Sequence, residues 1–143
     1  MREDTGGPPH HQELPIALRV IRTSDLRERL RIQRPAIDIA LSPDGQYLLA
    51  GTAQFGERER SNPGGLFVFE TTQFKQVARL ESGRFVVVHG FSPDGRYASI
   101  SSSNGEDAPR TVIKVLDLQR LEVIAEKEFV SRHVEFIAIP RRL

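Results

Sequence analysis

The sequence predicts an all-β fold assembled from repeated four-stranded units, on three observations. The motif Ser-Pro-Asp-Gly occurs twice, at residues 42–45 and 92–95. A β-prone run lies before and after each copy, which is the pattern of a β-hairpin. A valine placed shortly before a polar turn recurs as Val20, Val68 and Val115, at intervals of 48 and 47 residues. Repetition at this spacing indicates one supersecondary unit that is used several times.

The first hairpin of each unit is built around its Ser-Pro-Asp-Gly turn. "AIDIALS" (36–42) and "QYLLAGT" (46–52) flank the earlier turn, and "FVVVHGFS" (85–92) and "RYASISS" (96–102) flank the later one. The proline presets φ at the first central position of a type I turn, and the aspartate tolerates the next position. Gly45 and Gly95 can take positive φ. Both motifs are therefore predicted to be structural turns and not ligand sites.

A second hairpin follows in each unit after a long polar loop. It is "GLFVFETTQFKQVARLES" (65–82) in the first unit and "TVIKVLDLQRLEVIAEKEF" (111–129) in the second. An acidic residue closes the third strand and an apolar residue opens the fourth. The acidic residues are Glu70 and Asp117, and the apolar ones are Phe74 and Leu121. The pattern occurs once more in "IALRVIRTSDLRERLRI" (16–32), with Leu26 in register, so this segment is predicted to form strands and not a helix.

The organisation that follows is a partial β-propeller. Two complete units are predicted at 35–82 and 84–130, preceded by half a unit at 15–33 with the third and fourth strands only. One further first strand is predicted at 132–140. Residues 1–14 are predicted to be a disordered tail, because they contain almost no apolar surface to bury. Four strands in every 45 to 50 residues is the arithmetic of propeller blades.

The stretch "FSPDGRYASISSSNGEDAPRTVIKVLDL" (91–118) resembles the WD-repeat-like blades of the TolB and YVTN propeller families. Those units pair an S-P-D-G hairpin with a later strand that ends in an acidic residue. The likeness covers residues 16–140, but no Trp-Asp pair closes the third strand and the sequence has no tryptophan. The resemblance implies a propeller scaffold and the kinds of role that such scaffolds have, rather than one chemical activity.

Composition excludes several classes of protein. The 143 residues are 38% hydrophobic and 27% charged, as in ordinary globular domains. Twenty basic residues nearly cancel nineteen acidic ones, which argues against a dedicated nucleic-acid binder. No apolar run is long enough to predict a membrane span. The N-terminus lacks the apolar core of a signal peptide, so we expect a cytoplasmic protein, or a periplasmic one if the N-terminus is processed.

The loops between second and third strands are the candidate binding surface. "AQFGERERSNPG" (53–64) and "SSNGEDAPR" (102–110) occupy the same place in successive units, so they lie on one face of a propeller. Long loops on a rigid scaffold often carry binding groups. The residues predicted to bind a protein partner on this loop face are Phe55, Arg58, Arg60, Arg84, Asp107 and Arg110. The alternative is a solvated loop whose alternating charges neutralise one another.

His89 is the candidate cofactor ligand. It lies mid-strand where the first unit has Ile39, and the first strand of a blade lines the central channel. In haem-binding propellers related to the resembled family, a channel histidine can ligate iron. The alternative is a hydrogen-bonded core histidine. His10 and His11 lie in the tail and His133 is expected at the surface, so no metal site is predicted.

No catalytic constellation is recognisable in the sequence. There is no G-x-S-x-G, H-E-x-x-H, Walker or dinucleotide motif, and the serines at 99 and 101–103 have no plausible oriented base. The sequence therefore predicts a non-enzymatic interaction module without a cofactor, which binds a protein partner or another copy of itself through the loop face or an open sheet edge. Two alternatives remain: a haem- or cofactor-binding propeller subunit, and the regulatory propeller of a larger enzyme.

Overall fold

The repeats fold into antiparallel strands in the computed structural model, which describes residues 18–32, 36–52, 64–80, 85–103 and 110–130. The strands are β1 (Leu18–Ile21), β2 (Glu28–Ile32), β3 (Ala36–Leu41), β4 (Tyr47–Thr52), β5 (Gly65–Glu70), β6 (Lys75–Leu80), β7 (Phe85–Phe91), β8 (Tyr97–Ser103), β9 (Arg110–Asp117) and β10 (Glu122–Val130). We call the sheet β3-β4-β5-β6 the first blade, the sheet β7-β8-β9-β10 the second blade, and the pair β1-β2 the half-blade.

The predicted all-β, propeller-like fold is confirmed by these sheets, in which strands follow one another in chain order with antiparallel neighbours. The predicted tail (1–14) and the predicted C-terminal strand (132–140) lie outside the described residues. The boundaries that we assigned to the domain and its blades stay predictions.

Each Ser-Pro-Asp-Gly turn is a self-contained hydrogen-bonded unit. The Gly45 N–H donates to the Ser42 carbonyl at 2.8 Å, and Gly45 has φ of 70°. Asp44 does more than tolerate its position, because its Oδ1 accepts from Ser42 Oγ at 2.6 Å and from the Gln46 N–H at 3.0 Å. The hydrogen bond from Ser42 lowers the pKa of the Asp44 carboxyl. The second turn repeats these bonds around Asp94, so local chemistry explains every residue of the motif.

The turns between third and fourth strands show that the three units are in register. Among the described residues, three that are not glycine have positive φ: Leu26 (55°), Phe74 (52°) and Leu121 (54°). They have the same spacing as the recurring valines, and a left-handed backbone is uncommon for bulky side chains. The Glu70 and Asp117 carboxylates accept backbone N–H groups of the turns that follow them. The half-blade is therefore a third copy of the same hairpin.

The main core lies between the two blades. It is formed by one face of the first blade and the facing side of the second blade, and its buried members are Leu49, Leu66, Val68, Val86, Val88, Ala98, Ile100, Leu116 and Leu118. Two contacts bring the backbones close together. A Cβ on Gly51 would lie on the Val86 carbonyl oxygen, and the Asp38 carboxylate accepts the Val88 N–H at 2.7 Å. The blades are thus stacked face to face, with β7 lying across β3 and β4.

The half-blade stacks on the first blade in the same sense. The opposite face of the first blade buries Ala50, Phe67 and Phe69, and Leu18 of β1 packs against them. Leu18 lies two residues before Val20, as Leu66 lies two residues before Val68, and Leu66 faces the second blade. Successive units therefore present the same face to the next unit along the chain.

Both turn glycines are predicted to resist substitution, but unequally. A side chain at Gly45 or Gly95 must adopt positive φ, which costs about 1 kcal/mol for alanine and more for a β-branched residue. A Cβ at Gly95 would also lie 2.9 Å from Asp44 Cγ, whereas one at Gly45 has no neighbour within 4 Å. We expect Gly45→Ala to lower the free energy of unfolding by about 1 kcal/mol and Gly95→Ala by about 2 kcal/mol. Urea unfolding of both variants checks the order, which equal losses would contradict.

Candidate protein-interaction surface

Most of the predicted loop face lies outside the described residues. This applies to Phe55, Arg58, Arg60, Arg84 and Asp107, whose binding role stays a prediction. Arg110 is described at the start of β9. Its Nη1 lies 3.0 Å from Glu128 Oε1 of β10, and both side chains are exposed. An exposed ion pair of this kind contributes little to stability, so both groups are available for contacts with another molecule.

His89 sits at an irregularity in the pairing of β7 with β8, between Val88 and Gly90. A bulge re-aims the side chain of the extra residue. The His89 imidazole Nε2 lies 2.8 Å from Ser101 Oγ on β8, and the histidine is only partly exposed. This geometry is that of a hydrogen-bonded histidine, and a role for His89 in binding a cofactor stays a prediction. Ligation of a cofactor by Nε2 would require this hydrogen bond to break.

We predicted that the serines have no oriented base, and for Ser101 this is wrong because His89 lies within hydrogen-bonding distance of its hydroxyl. The bulge at His89 turns the imidazole towards β8, which the spacing of twelve residues in the sequence did not reveal. Ser101 is 7% exposed, so its hydroxyl has little access to a substrate. The pair satisfies two polar groups within a sheet, and a hydrogen bond of this kind has structural value because unpaired buried polar groups are costly. Absence of enzymatic activity stays a prediction.

An ion pair between the buried Asp117 and the partly exposed Arg96 fixes the end of β9. Asp117 is 2% exposed, and its Oδ2 accepts from Arg96 Nη2 at 3.0 Å and from Arg96 Nε at 3.2 Å. Its Oδ1 accepts the N–H groups of Gln119 and Arg120. Burial raises the pKa of the Asp117 carboxyl, but these hydrogen bonds outweigh burial and the pKa lies below the ordinary value. The pair links the second Ser-Pro-Asp-Gly turn to the outer hairpin of its blade.

We predict that the free energy of unfolding falls at acid pH. The folded-state pKa of Asp117 lies below the ordinary aspartate value of 3.8, so its contribution is fully present above that pH and is lost as the pH falls through the folded-state pKa. Asp44 and Asp94 are shifted in the same direction. Urea unfolding between pH 7 and pH 2 measures the effect. Asp117→Asn should flatten the acid limb, and an unchanged limb would contradict the assignment.

Two large apolar side chains of β3 are exposed next to a buried cluster. Ile39 is 53% exposed and Leu41 is 57% exposed. Ile39 pairs with Ala50, and Leu41 pairs with Leu48. Directly opposed residues share a face of the sheet, so both side chains lie on the face that carries the half-blade. Leu18 of the half-blade packs against the cluster on β4 and β5 of that face, whereas Ile39 and Leu41 of the inner strand β3 are exposed.

The repeat explains this exposure. Phe91 is the residue of the second blade that corresponds to Leu41, fifty positions later, and it packs against the main core. The first blade supplies inner strands that cover the inner strand of the second blade. The described part of the half-blade has only the outer two strands, so Leu41 lacks that cover. The sequence alone shows that this unit is only half present. It could therefore have identified Ile39 and Leu41 as an uncovered apolar surface.

Neither metal-binding nor membrane-spanning features occur in the described ranges. Within them, no group of three or more His, Cys, Asp and Glu side chains is arranged to hold a metal ion. Within the same ranges, no helix has the length and apolar character that a membrane crossing requires. The histidines of the tail and His133 lie outside these ranges.

Comparison with known proteins supports the fold. No protein-family model matches the sequence, and no curated protein matches it either. Among solved structures, the β-propeller domain of the Trilobed protease from Pyrococcus furiosus, described as having an open velcro topology, superposes with a TM-score of 0.61 at 19% identity. That match covers 79% of this chain and 34% of the other.

Two further structures are similar. Hydrazine synthase from Kuenenia stuttgartiensis has a TM-score of 0.56 at 17% identity, covering 77% of this chain and 29% of that one. A eukaryotic initiation factor has a TM-score of 0.55 at 17% identity, covering 74% and 25% respectively. The chain thus spans about a third or less of these structures. At these identities the likeness shows a β-propeller fold and nothing about activity.

Proposed function

We propose that the chain is a non-enzymatic protein-interaction module, a partial propeller that binds a protein partner. The observation that carries the proposal is the exposure of Ile39 and Leu41 beside a buried cluster on one blade face. Single exposed apolar residues are ordinary, but two on the same face of an inner strand, next to a packed core, are typical of a surface that another protein covers.

The loop face supplies a second part of the proposed surface. Arginine and aromatic side chains are enriched at protein interfaces, and the predicted group combines Phe55 with Arg58, Arg60 and Arg110. Arg110 is exposed and forms a surface ion pair with Glu128. We also propose that the blades are of the WD-repeat-like TolB or YVTN type, on the strength of the duplicated S-P-D-G hairpin, and that the protein is cytoplasmic.

Affinity purification from the native host tests the proposal. The tagged protein should recover a defined polypeptide, and Arg58→Ala/Arg60→Ala/Arg110→Ala should reduce its recovery severalfold. The matched control, Arg27→Ala/Lys75→Ala/Arg120→Ala, removes the same charge from positions in or next to the turns between third and fourth strands, at the opposite ends of the strands. If the first variant recovers as much of the polypeptide as wild type does, the loop face is not part of the binding surface. Wild-type protein that is folded and recovers no polypeptide contradicts the interaction function itself.

A second candidate is the regulatory propeller of a larger enzyme. It is favoured by the similarity to the β-propeller domain of the Trilobed protease, of which this chain spans 34%. A peptidase subunit or a neighbouring reading frame with further blades among the recovered polypeptides would support this candidate. Recovery of a partner without any catalytic domain would favour the simple interaction module.

A further inference from the structure

The described part of the half-blade has an outer hairpin but not the inner hairpin that precedes it in the two blades. In the two blades, the third strand pairs with the second strand along one edge: β5 pairs with β4, and β9 pairs with β8. The corresponding strand β1 pairs with β2, and no other described strand lies along its second edge. That edge presents backbone N–H and C=O groups, and an edge of this kind is a template for another strand.

The apolar surface beside this edge is continuous with an existing interface. Leu18 of β1 already packs on the cluster of Ala50, Phe67 and Phe69. Ile39 and Leu41 extend the same face of the first blade towards its inner edge. We call the free edge of β1 together with these two side chains the notch. In the next interface along the chain, the matching region is filled by β3 and β4, which pack against β7.

We propose that the notch binds a β-hairpin carried by a different polypeptide. One strand of this hairpin pairs antiparallel with the free edge of β1, and the hairpin face covers Ile39 and Leu41. The chemistry required is a strand–turn–strand segment with small and apolar residues on one face, such as the inner hairpin of another propeller blade. The inference rests on the proposed interaction function and names the surface and the kind of partner.

The sequence itself argues against the two other occupants. Its two strand–Ser-Pro-Asp-Gly–strand segments already form β3-β4 and β7-β8. The remaining β-prone run, 133–140, is a single strand without the Asp-Gly turn, so a second copy cannot supply both missing strands. Residues 1–17 contain four hydrophobic residues, which are too few to form both strands of an apolar hairpin face: Met1, Leu14, Ile16 and Ala17. A hairpin from another polypeptide fits the whole notch.

The chain contains a suitable probe for this site. Residues 36–52 form the inner hairpin whose Leu49 and Gly51 already pack against the next blade. An isolated hairpin is only marginally stable, so the peptide is cyclised through its backbone to hold the paired form. A fluorescent label reports binding by anisotropy. The control peptide carries Gly51→Val, because a side chain there prevents the close approach of the two backbones.

We expect the cyclic 36–52 peptide to bind the wild-type protein, and amide exchange at Leu18–Ile21 to slow by at least about tenfold on saturation. Ile39→Lys/Leu41→Lys should weaken binding by about tenfold or more, since two apolar contacts are lost. Val77→Lys/Ile124→Lys is the matched control, because it places lysines at exposed apolar positions of β6 and β10. This variant should bind the peptide like wild type.

Three results would overturn the inference: no binding of the cyclic peptide, equal binding by both lysine variants, or β1 amides as protected in the free protein as those of β5. The third result would mean that residues 1–17 or a second copy already fills the notch. If the host partner is recovered equally by Ile39→Lys/Leu41→Lys, the notch fails while the interaction function stands. If the peptide binds but no host partner is recovered, the notch stands while the proposed interaction function fails.

Discussion

Gly51→Ala is expected to lower the free energy of unfolding by about 3 kcal/mol, the largest effect of any single methyl group that we can identify. The added Cβ would lie on the carbonyl oxygen of Val86 and 3.1 Å from its carbonyl carbon. Both atoms belong to the backbone of β7, so no side-chain rotation relieves the clash. The two blades must separate, which opens the core that contains Leu49 and Val88. Urea unfolding measures the loss.

Gly90→Ala is the matched control for this prediction. Gly90 also lies in a strand, but a Cβ there would have no heavy atom within 4 Å. We expect this variant to stay within about 1 kcal/mol of wild type, because the open space tolerates a methyl group. Losses of equal size in the two variants would show that strand glycines are sensitive in general, and would contradict the close stacking of β4 on β7.

Asp38→Ala is expected to lower the free energy of unfolding by about 2 kcal/mol. The Asp38 carboxylate reaches from β3 of the first blade to the Val88 N–H of the second blade, at 2.7 Å. Val88 is 8% exposed, so its N–H cannot exchange this acceptor freely for water. The substitution removes the acceptor and leaves a buried donor unpaired, and an unpaired buried donor is costly.

Asp38→Asn separates the hydrogen bond from the charge. Its amide oxygen can still accept from the Val88 N–H, so we expect a loss of about 1 kcal/mol or less. Residue-resolved hydrogen exchange adds a second readout, because Asp38→Ala should speed exchange at Val88 more than at Val68 in the middle of the first blade. Equal losses in the two variants would mean that the carboxylate acts through its charge and not as an acceptor for Val88.

Much of the fold follows from local signals. The Ser-Pro-Asp-Gly motif specifies a turn through bonds that lie within six residues, so it is recognisable without knowledge of the rest of the chain. The spacing of Val20, Val68 and Val115 then places the outer hairpins in register. The left-handed conformation of Leu26, Phe74 and Leu121 was not predicted, since leucine and phenylalanine rarely adopt positive φ.

The contacts between units could not be predicted in the same way. Asp38 reaches Val88 across fifty residues, and Gly51 meets Val86 across thirty-five, so no local pattern encodes either contact. The pairing of His89 with Ser101 depends on an irregularity in one strand pair, which shifts the face of a single side chain. The open surface at Ile39 and Leu41 is different, because it follows from counting strands in the half unit.

Native mass spectrometry of the untagged protein, purified from its host at low micromolar concentration, tests the central claim that another chain completes this partial propeller. We predict a species heavier than the 16.1-kDa chain, by the mass of a bound polypeptide. Ile39→Lys/Leu41→Lys should shift that species towards 16.1 kDa, while Val77→Lys/Ile124→Lys should leave it unchanged. A well-folded wild-type monomer of 16.1 kDa, without any bound polypeptide, would contradict the claim.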